Sequence, residues 1–339
     1  MKRLTNRRKI NGSTYLLMIT VLLFIVMYGA GMIVFASKGF AKPQMFLNLF
    51  ISNAGLLVIA MGQTIVMITA GIDISVGSVT ALVCMVVANQ MENHGTSAYM
   101  AVVIALAIGL AFGLVQGVLV AYLDIQPFIV TLAGLFFGRG MTSVVSTDMI
   151  SIKNETFLKW ANYKIYLPIG SYSKRGNFLP AYIYPTVVIA LLVLVVIIII
   201  MKYTKFGRSV YAIGGNEQSA MMMGLNVRKT KLKAYLLDGF LAGLGGFLFC
   251  LNSTAGFVEQ AKGLEMDAIS SAVIGGTLLS GGVGTPFGTL FGVLIKGTIS
   301  SLITTQGTLS SWWVRITLSA LLCFFIVLQS IFASVKKKK

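Results

Sequence analysis

The chain has 339 residues, of which 56% are hydrophobic and 11% charged, with a mean hydropathy of +0.86 and a formal net charge of +17. A soluble domain carries roughly 25% charged residues, so this composition excludes an ordinary soluble protein and assigns the chain to the lipid bilayer. In a soluble chain so large a positive charge would point to nucleic acid, but here the basic residues gather between apolar runs, as membrane topology requires, and no nucleic-acid partner is expected.

A helix rises about 1.5 Å per residue and the hydrocarbon core is about 30 Å thick, so about 20 apolar residues make a span. The first predicted span lies near 14–36, behind the basic stretch MKRLTNRRK, and is too long for a removable signal peptide. The second and third lie near 46–70 and 75–91, in two uncharged runs separated by Asp73. Asp73 stands in TAGIDISVGSVTAL, residues 69–82. Gly71 and Gly77 free the backbone there, and Ser75 and Ser78 can cap or bond locally, so a helix break is predicted. The carboxylate would then accept free N–H groups at the start of the next helix. Direct contact with a solute or a gate is the other reading, and the sequence leaves both open.

Further spans are predicted near 97–122, 127–147, 182–201, 234–252, 268–284, 286–305 and 311–332, making ten. Sixteen of the 27 basic residues fall in three segments, at the N-terminus, between 202 and 233, and in the terminal Lys336–Lys339. The positive-inside rule places all three in the cytoplasm, so both termini share a side and the span number is even. One transmembrane domain covers 1–339, with a cytoplasmic N-tail at 1–13, an external loop at 148–181, a cytoplasmic loop at 202–233 and a lysine tail at 333–339. The external loop carries Lys153, Lys159, Lys164, Lys174 and Arg175 against Asp148 and Glu155, but long loops weigh less in the rule. The fold class is all-α and polytopic. Glycines recur every fourth residue at Gly109, Gly113 and Gly117, and again at Gly284, Gly288 and Gly292, which puts each set on one face for close helix approach. The two sets sit five spans apart, which suggests an inverted-topology repeat of spans 2–5 on 7–10.

No catalytic constellation is visible. His94 is the single histidine and lies in a short loop; Cys84, Cys250 and Cys323 lie in spans without CxxC spacing and read as small hydrophobes. There is no HExxH, no GxSxG and no Gly-Lys dipeptide, so the GxxxxGK[ST] phosphate loop is absent. The chain is not expected to be an enzyme, and no cofactor or metal is called for.

The loop FGRSVYAIGGNEQSAMMMGLNVRKTKLKAYLLDG, residues 206–239, holds its own short helix. Asn216 is a good N-cap, Glu217 suits the positive first turn, Gln218–Met223 can propagate, and Gly224 can stop the helix in the left-handed conformation. So short a helix forms only against a surface. Met221, Met222 and Met223 offer a soft apolar face to a partner's groove, or else the segment lies on anionic lipid.

GIDISVGS (71–78), PFIVTLAGLFFGRG (127–140) and AIGGNEQSAMMMGLNV (212–227) resemble the permease subunits of bacterial ABC importers for monosaccharides, the ribose, xylose, arabinose and galactofuranose group. The likeness runs over nearly the whole chain, and GTLLSGGVGTPFGTLFGVLIKG with GTLSSWW (307–313) looks most like the galactofuranose-type members. The resemblance implies a translocation pathway served by a separate cytoplasmic ABC ATPase, a second permease subunit (the same or a paralogous chain) and an extracytoplasmic sugar-binding protein. It also assigns contact with the ATPase to Gly214, Gly215, Asn216, Glu217 and Gly224. Where relatives often carry two alanines, this chain has Gln218 and Ser219, which makes the docking face bulkier.

Polar residues inside the spans are candidates for the pathway or gate: Gln63, Gly71, Asp73, Ser75, Gly77, Gln116, Thr131 and Arg139, with Asn53 and Lys296 also noted. Gln63, Gln116 and Thr131 suit weak, distributed binding of a neutral sugar, and suit plain interhelical hydrogen bonding equally. Lys296 and Arg315 can snorkel to an interface. An ion-coupled secondary sugar transporter is the alternative, but it needs clustered carboxylates, and Asp73 and Asp238 have no second carboxylate evident in the sequence.

Overall fold

A computed structural model describes residues 12–172, 177–310 and 312–337. Helices dominate. α1 (Gly12–Val34), α2 (Pro43–Ile68), α3 (Val76–His94), α4 (Ala98–Tyr122) and α5 (Pro127–Val145) form the first half. α6 (Glu155–Asn162) and the strands β1 (Ile150–Ser151), β2 (Ile165–Tyr172) and β3 (Phe178–Ile183) lie in the long predicted loop. α7 (Pro185–Tyr203) then leads to α8 (Lys205–Gly215) and α9 (Glu217–Met222). The second half comprises α10 (Val227–Ser253), β4 (Ala255–Gly256), α11 (Leu264–Ile274), α12 (Pro286–Gln306) and α13 (Trp312–Lys337).

Four of the long helices, α2, α5, α7 and α12, begin with proline at the first turn, where the missing N–H has no partner to lose and the fixed φ suits the helix. Among the described residues, eight helices are long and apolar enough to cross a membrane. α2 and α10 form the centre, with 61% and 72% of their apolar windows buried, against 17% for the outer α1 and α13.

Nine of the ten predicted spans coincide with long helices, most of them within a few residues although α10 begins seven residues early, but two are not among the eight: α3 (Val76–His94) and the eighth predicted span. The eighth, near 268–284, is an 11-residue helix, α11, which at 1.5 Å per residue covers only about half the hydrocarbon core. Gly276, Gly281 and Gly282 take positive φ of 92°, 83° and 74°, so the uncharged run turns back on itself instead of continuing. Gly284 consequently precedes α12 rather than lying in it. The lysine tail differs too, because α13 carries helix through Lys337; residues 1–11 of the predicted N-tail and Lys338–Lys339 lie outside the described residues. The predicted external loop contains strands that its composition did not announce: β2 and β3 pair antiparallel, and β1 pairs with β4.

The first glycine set does what its spacing predicts. A side chain at Gly109 would strike the Gly239 carbonyl, and one at Gly113 would strike the Tyr235 carbonyl, so α4 and α10 meet backbone to backbone. The two halves also repeat each other's contacts. α10 packs on α4 as α2 packs on α12, α3 meets α5 as α11 meets α13, and α3 meets α4 as α11 meets α12. Such paired contacts are what a structural repeat of α2–α5 on α10–α13 produces.

Candidate functional site

The break between α2 and α3 sits at the centre of the bundle. α2 ends at Ile68, and the left-handed residue that turns the chain is Ala70, with φ 62°. Gly71 serves another purpose: a side chain there would meet the Tyr235 hydroxyl at 2.7 Å. Gly77 likewise makes room, for the Glu265 carboxylate and the Ala261 carbonyl. Both glycines were expected to loosen the backbone, and both instead permit close approach.

Asp73 is buried, 3% exposed. It does not cap α3 directly: the N-cap is Ser75, whose side chain makes no cap bond to the helix. Asp73 Oδ1 instead accepts from both the Ser75 N–H and the Ser75 hydroxyl, each at 2.6 Å. A carboxylate between two donors two residues ahead closes a tight local turn and fixes where α3 begins. Gln116 of α4 donates to the Ser75 hydroxyl at 2.8 Å. Gln63 of α2, with its amide set to match its neighbours, donates to the Asp73 carbonyl at 2.7 Å and accepts from the Asp73 N–H at 3.3 Å. Thr131 of α5 donates to the Ile72 carbonyl at 3.3 Å and to Pro127 in its own helix at 3.0 Å. Six of the eight predicted pathway positions, Gln63, Gly71, Asp73, Ser75, Gln116 and Thr131, therefore converge on one segment, held from α2, α4 and α5.

Two residues of α10 complete the cluster, and sequence reasoning had not placed either of them there. Asp238, fully buried, touches the Asp73 carboxyl, and Tyr235 directs its hydroxyl at the same place. The expectation that neither aspartate has a carboxylate neighbour is thus overturned. A side chain at Gly62 would collide with Asp238, so α2 leaves the space that admits it.

Arg139 lies apart. Its guanidinium donates to the Val258 and Gln260 carbonyls at 3.2 and 2.6 Å, binding α5 to the loop after β4 rather than to a carboxylate or a helix end. Lys296 does not run to an interface: it pairs with Asp267 at 3.3 Å and donates to Asn53 at 3.3 Å. Arg315 donates to the Lys262 carbonyl at 3.0 Å. A cleft of about 300 Å³ opens between α4 and α5 beside Gln116, walled by Phe112, Val115, Leu119, Val130 and Phe137. With one amide among apolar walls, it offers few partners for sugar hydroxyls.

The second candidate region is α8 with α9. Asn216 caps α9, accepting from the Ser219 N–H at 2.7 Å, and Gly224 ends it at φ 79°. The helix runs over Glu217–Met222, starting where predicted and ending one residue earlier. Glu217 is also tied to α10, taking two hydrogen bonds from Lys231 at 2.7 and 2.8 Å. Ala220 is the buried residue, packed with Ile213 and Val227. Gln218 and Ser219 are exposed, while Met221, Met222 and Met223 are 60%, 88% and 68% exposed.

The base of this module reaches the break. A side chain at Gly214 would strike the Ile68 carbonyl, which accepts from the Gly282 N–H at 2.8 Å, and Gly281 lies against Ala70. Gly215, by contrast, faces open space. Tyr211 donates to the Gly284 carbonyl at 2.8 Å, and burial pushes its phenol above the usual tyrosine range, so it remains a donor. α8 therefore rests on the turn three residues before Asp73.

Residues 45–326 match the family model described as the permease component of the branched-chain amino acid transport system. The chain belongs to this permease family. It is 42% identical to the inner membrane ABC transporter permease protein YjfF of Escherichia coli, over 92% of this chain and 91% of that one. It is 33% identical to the fructose import permease FruG of Bifidobacterium longum over 91% and 88%, and 38% identical to the ribose import permease RbsC of Bacillus subtilis over 81% of each. No solved structure matches this permease. Its relatives are transport subunits, and it is a multi-pass membrane permease rather than an enzyme.

Proposed function

We propose that this permease is the membrane subunit of an ABC importer in the bacterial inner membrane and forms the pathway for a monosaccharide, with Asp73 and its neighbours as the moving part. The observation that carries the reading is the seating of α8 on the end of α2. The short capped helix α9 presents an exposed methionine face to an ATPase, and its supporting helix touches the Ile68–Ala70 turn. A push on α9 is thereby delivered to the segment holding Asp73 and Ser75. Gly214, Asn216, Glu217, Gly224 and the methionines act in docking or its transmission, and Gly215 keeps the docking surface low. Gln63, Gly71, Gln116 and Thr131 define the path around the break, while Gly77 and Arg139 hold its flank.

On this reading α8–α9 and both termini face the cytoplasm, and the β2–β3 hairpin faces the extracytoplasmic binding protein. A second permease, the same chain or a paralogue, completes the pathway. The ribose and fructose permeases among the relatives support a monosaccharide, and the GTLSSWW segment favours galactofuranose. Co-purification with a candidate ATPase and binding protein, followed by sugar-stimulated ATP hydrolysis in liposomes, tests the proposal. Uptake by this chain alone, driven by an ion gradient without ATP, would overturn it.

A further inference from the structure

We propose that Asp73 and Asp238 form a proton-binding site: one proton shared between the two carboxyl groups joins the helix break to the central helix α10. Both side chains are buried, Asp73 at 3% and Asp238 at 0% exposure, and they are neighbours: Asp238 lies against Gly62 of α2, and the next residue, Gln63, bonds the Asp73 backbone. Neither oxygen of Asp238 meets a donor among the described residues. Two bare carboxylates at that separation would repel in a medium too dry to screen them, and only a proton turns the contact into a bond.

The surroundings favour the same state. Asp73 receives two donors from Ser75 on Oδ1, so it is the better seat for the negative charge and Asp238 the better seat for the proton. The ionisable groups facing Asp238 are Asp73 across the break and Tyr235 one turn earlier on α10. α2 brings Gly62 against Asp238, and no basic side chain among the described residues pairs with either aspartate. The Tyr235 hydroxyl, one turn from Asp238, is buried without a well-formed partner, an unfilled polar setting beside the pair. When the break moves away from α10, the Asp238 proton remains on its carboxyl or passes to entering water, leaving a carboxylate and a hydronium ion. When the break returns, a proton must be present for it to dock.

The site is a property of this chain and does not rest on the ABC reading; its test measures protonation without transport. Infrared spectra of the purified permease in lipid nanodiscs at neutral pH should show a protonated-carboxyl C=O band that shifts in D₂O. Asp238→Asn and Asp73→Asn should each remove the band, whereas Glu265→Gln, at a half-buried carboxyl outside the pair, should keep it. Each single asparagine variant has the net charge of the protonated pair and supplies an amide donor in place of the proton, so both should fold, with thermal unfolding close to that of the parent. Absence of the band in the parent, its survival in both asparagine variants, or failure of both to fold would overturn the proposal.

Discussion

At the scale of single residues, the site depends on polar groups that cannot find water. Gln63, Asp73, Ser75 and Gln116 stood out in the sequence because each interrupts an apolar run, and the cost of an unsatisfied polar group in hydrocarbon means that such residues must meet partners. Their partners were not legible, since Tyr235 and Asp238 lie far along the chain and only the packing of α10 against α2 and α4 brings them in. Gly71 shows how tight that packing is. Gly71→Ala would press a methyl against the Tyr235 hydroxyl at 2.7 Å and should destabilise the protein by about 1–3 kcal/mol, the range for overpacking. Tyr235→Phe removes a buried hydroxyl that lacks a well-formed partner and should cost less than about 1 kcal/mol. If the clash is the cause, the double variant should be nearly as stable as Tyr235→Phe alone, a coupling visible in a double-mutant cycle of thermal unfolding in detergent. Additive losses would show that Gly71 is required for another reason.

At the scale of elements, local rules worked where capping chemistry decides the structure. Asn216 and Gly224 bracket α9 as their side-chain properties dictate, and Glu217 occupies its first turn. Its ion pair with Lys231 was not legible, because the two residues meet across a turn whose course the sequence does not set. Gly224→Val puts a β-branched residue at φ 79°, at a cost of about 1–3 kcal/mol confined to the end of α9. Glu217→Ala loses a partly exposed ion pair worth at most about 1 kcal/mol. Both variants should insert in the membrane normally and lower ATPase co-purification or sugar-stimulated hydrolysis, with Gly224→Val the more severe. Unchanged hydrolysis in both would remove α9 from the coupling path. The eighth span shows the reverse case. Hydropathy over 268–284 is continuous, and it registers neither the left-handed glycines nor the return of the chain at 275–285. The signal present was the crowding of glycines before Pro286, which marks a turn more than a span.

At the scale of the whole molecule, the two halves enclose the break between α2 and α10, and the α8–α9 module touches both: Ile68 in one half, Gly281 and Gly282 in the other, with Gly281 in turn against Ala70. The family and the membrane class were legible from motifs and composition, whereas this mechanical continuity was not, because it depends on glycine backbones from two distant segments meeting. It separates folding from coupling. Met221, Met222 and Met223 are mostly exposed, so replacing all three with serine should change the stability of the permease by no more than about 0.5 kcal/mol per site. The same change removes the soft apolar surface that an ATPase groove would bury. The expected outcome is an unaltered unfolding temperature for the isolated permease together with at least a tenfold loss of ATPase affinity, read by titrating purified ATPase onto nanodisc-embedded permease. A change of no more than a few-fold would place the docking surface elsewhere on the basic face. A large fall in unfolding temperature would mean that the methionines pack within the permease itself.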